Sequence, residues 1–152
     1  MSTLRVGLAS IPVEENAFQK NLQNVTQVVE NHADESLDLF VFGEATLTGL
    51  DVQDFESRSF PETKVILDQI NILTKRFTTS VCVGFIEQER DRHYLTHLLS
   101  CEGITCGVQR KVFARNPTKS GVYWSGKQIH PIRFRDYRVV ILACADWLLS
   151  GR

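Results

Sequence analysis

The stretch Leu37–Leu50, "LDLFVFGEATLTGL", decides how the rest of the chain is read. Five of its first six residues are apolar, the profile of a strand buried on both faces of a sheet, and Glu44 follows almost at once. On its amino-terminal side, "RVGLASI" (Arg5–Ile11) reads as another short buried strand. Between the two, Phe18, Leu22, Val25, Val29 and Ala33 recur at three- and four-residue steps and give a helix one apolar face. Asn16 and Gln19 stand in the arrangement of a capping box at its start. On the carboxyl side, Ser59 and Glu62 make a second capping box, Ile66, Ile70, Leu73 and Phe77 a second stripe, and "VCVGFI" (Val81–Ile86) a third strand.

Strand, helix, strand, helix, strand predicts an α/β fold with a parallel core. The pattern then changes. "HYLTHLLS" and "TCGVQRKVF" flank "CEGI" as an antiparallel hairpin with Gly103 in its turn. A loop carrying Pro117, Gly121 and Gly126 follows, and "YRVVILACADW" (Tyr137–Trp147) reads as a final strand.

The 152 residues suffice for one domain, spanning 1–152, and for one core. A net charge of −1 with scattered Lys and Arg argues against nucleic acid or an anionic membrane as partner. The three arginines of "RFRDYR" are read as flanking a hairpin. The N-terminus lacks the apolar region of a signal peptide, and the longest apolar run, "VVILACA", is a strand rather than a membrane span. Four cysteines without an export signal are expected to be free thiols in a reducing compartment, which places the chain in the cytoplasm.

In α/β sheets, functional groups gather at the carboxyl ends of strands. Glu44, Lys111 and Cys144 each occupy such an end. Singly, Glu44 could be a turn acid, Lys111 a solvated strand end and Cys144 a small core residue. Together they fit one mechanism. A thiol is a good nucleophile only as thiolate and needs a base nearby. A carboxylate in a partly apolar pocket can take that proton and later return it to a leaving amine. An ammonium beside the attacked carbon stabilises the oxyanion, with help from the backbone N–H after the cysteine.

Three local motifs occur in one order: "GEATLTGL", "VQRKVF" and "VILACADW". With the opening "RVGLASIPV" and the turn "SCEG", they resemble the carbon–nitrogen hydrolases, or nitrilase superfamily, over essentially the whole chain. Gly43 stands where that family has proline and Leu50 where it has tyrosine. The resemblance implies a nitrilase-like α-β-β-α sandwich. It also implies amidase or nitrilase chemistry on a small-molecule amide or nitrile, without a metal or cofactor, in a protein that usually dimerises. By carry-over, Glu44 is general base and acid, Lys111 the oxyanion-stabilising cation and Cys144 the nucleophile that forms an acyl-thioester. Ala145 supplies the oxyanion N–H, and Asp146 gives structural support.

The family's second glutamate, between lysine and cysteine, has no counterpart; the acid in that segment is Asp136. A family domain is commonly on the order of 250 residues, whereas this chain stops eight residues after Cys144 with "WLLSGR". The expectation is therefore an incomplete, amino-terminal part of the fold, truncated after the nucleophile strand. Two helices would cover one face of its sheet. The alternative to an enzyme is a nitrilase-like chain without catalysis, serving as a binding or assembly partner or having no function. "HYLTHLLSCEGITC" also offers His93, His97, Cys101 and Cys106, but their spacing matches no standard zinc motif. His130 is a weaker candidate base than the carboxylate, and no glycine-rich phosphate loop is present.

Overall fold

The computed structural model describes residues 3–50, 58–114 and 123–148. A five-stranded sheet runs in the order β1 (Val6–Ala9), β2 (Leu39–Phe42), β3 (Ser80–Glu89), β4 (Arg92–Cys101) and β5 (Ile104–Arg110). The first three strands are parallel, and β3–β4 and β4–β5 are antiparallel. The β4–β5 turn is the expected one: Glu102 and Gly103 both have positive φ, which matches the twist of a tight hairpin. The loop positions Pro117 and Gly121 lie outside the described residues.

Helices α1 (Phe18–Asn31) and α2 (Thr63–Phe77) pack on one face. Their stripes, Phe18, Leu22, Val25, Val29, Ile66, Ile70 and Leu73, join Phe40, Phe42, Val81, Val83, Phe85 and Leu98 in the main core. Among the described residues, no helix is long and apolar enough to cross a membrane.

Neither capping box forms. Helix α1 starts after Ala17 and α2 after Glu62, and neither cap position makes a side-chain hydrogen bond. Asn16 instead takes a left-handed conformation, φ 55°, and donates its amide to the Thr48 carbonyl at 3.1 Å. A tertiary contact has displaced the local cap.

The final strand also departs from expectation. Only Tyr137–Val139 is a strand, β7, and it pairs with β6 (Ile132–Phe134) rather than with the main sheet. The arginines of "RFRDYR" do flank this hairpin's turn. Ile132, Phe134, Val139 and Ile141 pack on Leu39, Cys82 and Leu99, on the sheet face opposite the helices. The chain is thus an α/β fold with a mixed sheet, layered helix, sheet and hairpin.

The cysteines require a further correction. Cys101 and Cys106 form a disulfide across the β4–β5 hairpin, leaving Cys82 and Cys144 free. That removes two of the four thiols on which the cytoplasmic expectation rested.

Candidate active site

Glu44 stands on a tight turn at the carboxyl end of β2. The turn is bound to β3: Gly84 donates to the Gly43 carbonyl at 3.3 Å, and Leu47 donates to the Gly84 carbonyl at 3.0 Å. Thr46 Oγ1 donates to the Gly43 carbonyl at 2.8 Å, and Ile86 donates to Thr48 Oγ1 at 3.0 Å. Asn21, buried on α1, adds a longer bond from Nδ2 to the Leu47 carbonyl at 3.4 Å. The Glu44 carboxylate is therefore carried on a backbone with little freedom to shift.

Lys111 follows β5 directly. Its amide donates to the Leu95 carbonyl and its carbonyl accepts from Gly126, both at 2.7 Å. The residue is 7% exposed, and Nζ lies 2.9 Å from Glu44 Oε1. A buried ammonium needs such a partner, because an unpaired charge away from water costs several kcal/mol.

Cys144 opens the short 3-10 turn Cys144–Leu148 and has φ 48°. Asp146 holds this turn in place. It is fully buried and accepts hydrogen bonds from the amides of Val112 at 3.1 Å and Phe113 at 2.8 Å. It also accepts from the Ala143 amide at 3.3 Å. One carboxylate thus ties the loop after Lys111 to the loop that carries Cys144.

Glu44 and Cys144 line a common cavity of about 350 Å³, with Gly43, Cys82, His97 and a largely aliphatic wall from Val139 to Ala143. Burial pushes the Cys82 thiol up to about 12, so at neutral pH it stays protonated and is a poor nucleophile. Cys144 is the exposed thiol of the pair.

Sequence reading offered His97 only as a zinc ligand; its place is in this cavity wall. It is 6% exposed, and Nδ1 has no hydrogen-bond partner. Burial holds its imidazole below the ordinary value, Glu44 and Asp146 pull it up, and Lys111 pushes it down. The available signal was a lone imidazole inside the apolar run "YLTHLLS". The rest of that His/Cys cluster, whose spacing matches no standard zinc motif, is dispersed: the two sulfurs are bonded to each other, and the His93 ring meets Phe60 at 5.4 Å.

A larger cavity of about 750 Å³ lies elsewhere, lined by Glu87, Arg92, Arg110, Trp124 and His130 among others. Its arginines are engaged. Arg110 donates to both Glu87 oxygens at 2.7 and 2.9 Å and stacks on Tyr94 at 3.9 Å, while Arg92 lies 4.2 Å over Trp124. His130 stands here, away from Cys144.

A family model described as carbon-nitrogen hydrolase matches residues 5–150. Among solved structures, an amidase from Nesterenkonia sp. superposes with TM-score 0.80 at 13% identity, over 93% of this chain and 55% of that one. A CN-hydrolase superfamily protein from Xanthomonas campestris, solved with an arsenic adduct in its active site, gives 0.82 at 14% identity, over 99% and 57%. The glutamine-dependent NAD+ synthetase of Acinetobacter baumannii gives 0.78 at 18% identity, over 97% and 29%. The chain thus spans a little over half the length of the first two and under a third of the synthetase. No curated protein matches it significantly by sequence.

Proposed function

The chain belongs to the carbon–nitrogen hydrolase family, and from that premise we propose that it hydrolyses non-peptide carbon–nitrogen bonds through Glu44, Lys111 and Cys144. The observation that carries the reading is that Glu44, paired with Lys111 at 2.9 Å, lines a cavity that Cys144 also lines. Glu44 takes the Cys144 proton, and Sγ attacks the carbon of a small amide or nitrile. The oxyanion from an amide lies between the Lys111 ammonium and the Ala145 N–H. The C–N bond breaks as Glu44 returns the proton to the departing nitrogen, releasing ammonia and leaving an acyl-thioester. Water, deprotonated by Glu44, then attacks the thioester, and the thiolate leaves with the acid formed.

The aliphatic lining supports a small acyl group, and the volume suits a ligand of modest size. Competitive alkylation tests the assignment. Iodoacetamide at neutral pH is expected to label Cys144 faster than Cys82, and Glu44→Gln to slow that labelling. Equal rates at the two thiols, or no effect of the substitution, would make Cys144 an ordinary surface cysteine.

A second reading, a non-catalytic assembly partner, is favoured by one observation. Edge strand β1 exposes Val6 at 42% and Leu8 at 82%.

A further inference from the structure

We propose that His97 is a specificity-determining residue of the Cys144 cavity, donating a hydrogen bond from Nε2 to an acceptor oxygen on the acyl part of the substrate. The proposal rests on the hydrolase reading above and adds a substrate class to it: small amides with an oxygen on the carbon next to the scissile carbonyl.

The argument begins with the burial of the ring. Nδ1 is shut off from solvent and has no partner. A proton there would be an orphaned buried donor, which costs about 1–3 kcal/mol. The proton therefore sits on Nε2, leaving Nδ1 as an unfilled acceptor, the better tolerated of the two defects. His97 lies on the β4 face shared by Leu95 and Leu99, opposite Gly84 and Gln109 in the neighbouring strands. The Glu44 turn, not open space, lies over Gly84, within 2.9 Å of where a Cβ would stand, so the ring sits beside that turn. Gln109 is engaged elsewhere, donating to the Gln128 carbonyl at 2.9 Å and accepting from the His130 amide at 2.9 Å.

The charged groups around the ring are Glu44, Lys111 and Asp146, and each has partners of its own. The rest of the wall, Leu39, Val41, Phe42, Leu99 and Val139 to Ala143, is apolar. An imidazole donor in a largely aliphatic cavity that Cys144 also lines discriminates strongly. A substrate lacking the matching oxygen leaves the donor unpaired.

Lactamide and isobutyramide test this, because they differ only by a hydroxyl against a methyl group. The full chain is expected to favour lactamide at least about ten-fold in kcat/KM. His97→Leu is expected to bring the ratio near one, and His97→Gln to restore part of it. The same titrations on Cys144→Ala, followed by ligand-observed NMR, read the preference as binding, so a chain that turns nothing over still answers the question. Nitrogen NMR of wild-type protein reads the tautomer even if the Leu variant does not fold. An Nδ1–H tautomer, or a ratio unchanged by His97→Leu or by His97→Gln, overturns the proposal. Failure of the catalytic reading shows separately, as Cys144 labelling that is indifferent to Glu44→Gln.

Discussion

A Cβ at Gly84 would lie 2.6 Å from the Ala45 nitrogen and 2.8 Å from the Gly43 carbonyl oxygen, both backbone atoms that cannot rotate away. Gly84→Ala must therefore push the Glu44 turn off β3. Overpacking of this kind costs about 1–3 kcal/mol. The variant is expected to lose stability by that amount in urea and to label more slowly at Cys144; wild-type labelling would mean the turn does not position the base. The acid itself was legible, because a carboxylate straight after a buried apolar run demands an explanation. Gly84 was not, since a glycine in a strand marks close approach without naming what approaches. Buried His97 and half-buried His93 set a pH dependence. Burial holds His97 and His93 below the ordinary imidazole value. Below about pH 6.5 the unfolded chain binds protons that the folded chain refuses, so stability falls as pH falls through this window. Asp38, held low by the Arg5 amide, and Glu89, held low by Arg110, act in the same direction only near pH 4 and below. The urea midpoint should drop between pH 7 and 5 in wild type and drop less in His97→Gln. An equal drop in both would assign it to other groups.

At the scale of elements, periodicity found both helices and the strands β1 to β5. In the helices and in β2, β3 and β4 the apolar spacing is what the core buries, whereas β1, expected to be buried, leaves Val6 and Leu8 exposed at the sheet edge. Periodicity did not find the caps. Asn16 has the chemistry of a cap, but its tolerance of positive φ serves the Glu44 turn instead. Nor could it find the partner of the last strand. "VVILACA" is apolar throughout, and an apolar run looks the same in sequence whether it lies in the hairpin layer or in the main sheet. The three proposed site residues were legible through their motifs. The link between the lysine and cysteine loops was not, because only the folded chain shows how many amides Asp146 serves. Asp146→Ala would leave buried donors at Val112, Phe113 and Ala143 without an acceptor, at about 1–3 kcal/mol for each that water cannot reach. Asp146→Asn keeps one acceptor oxygen, so chemical denaturation should place it between wild type and Ala. If Ala and Asn were equally mild, the two loops would be held together by something else.

For the molecule as a whole, the decisive feature is an uneven distribution of cover. The helices bury one sheet face, and the β6–β7 hairpin buries Leu39, Cys82 and Leu99 on the other. On that second face the cover fails at the edge. Leu8 is 82% exposed, Val6 42% and Val140 50%, and β1 pairs only with β2 among the described strands. Fully burying an aliphatic side chain is worth about 1.5–3 kcal/mol, so covering these three would recover a sizeable part of a small domain's stability. An apolar edge strand is also a template for another strand. The 152-residue chain is therefore expected to sediment as a dimer or larger species in analytical ultracentrifugation. Leu8→Lys should shift it toward monomer, since a charge on an edge strand opposes pairing. Ammonia release from simple amides should follow the assembled fraction, falling in Leu8→Lys although Leu8 is not part of the Cys144 cavity. A wild-type chain that stays monomeric and releases ammonia at full rate would show that this face needs no cover.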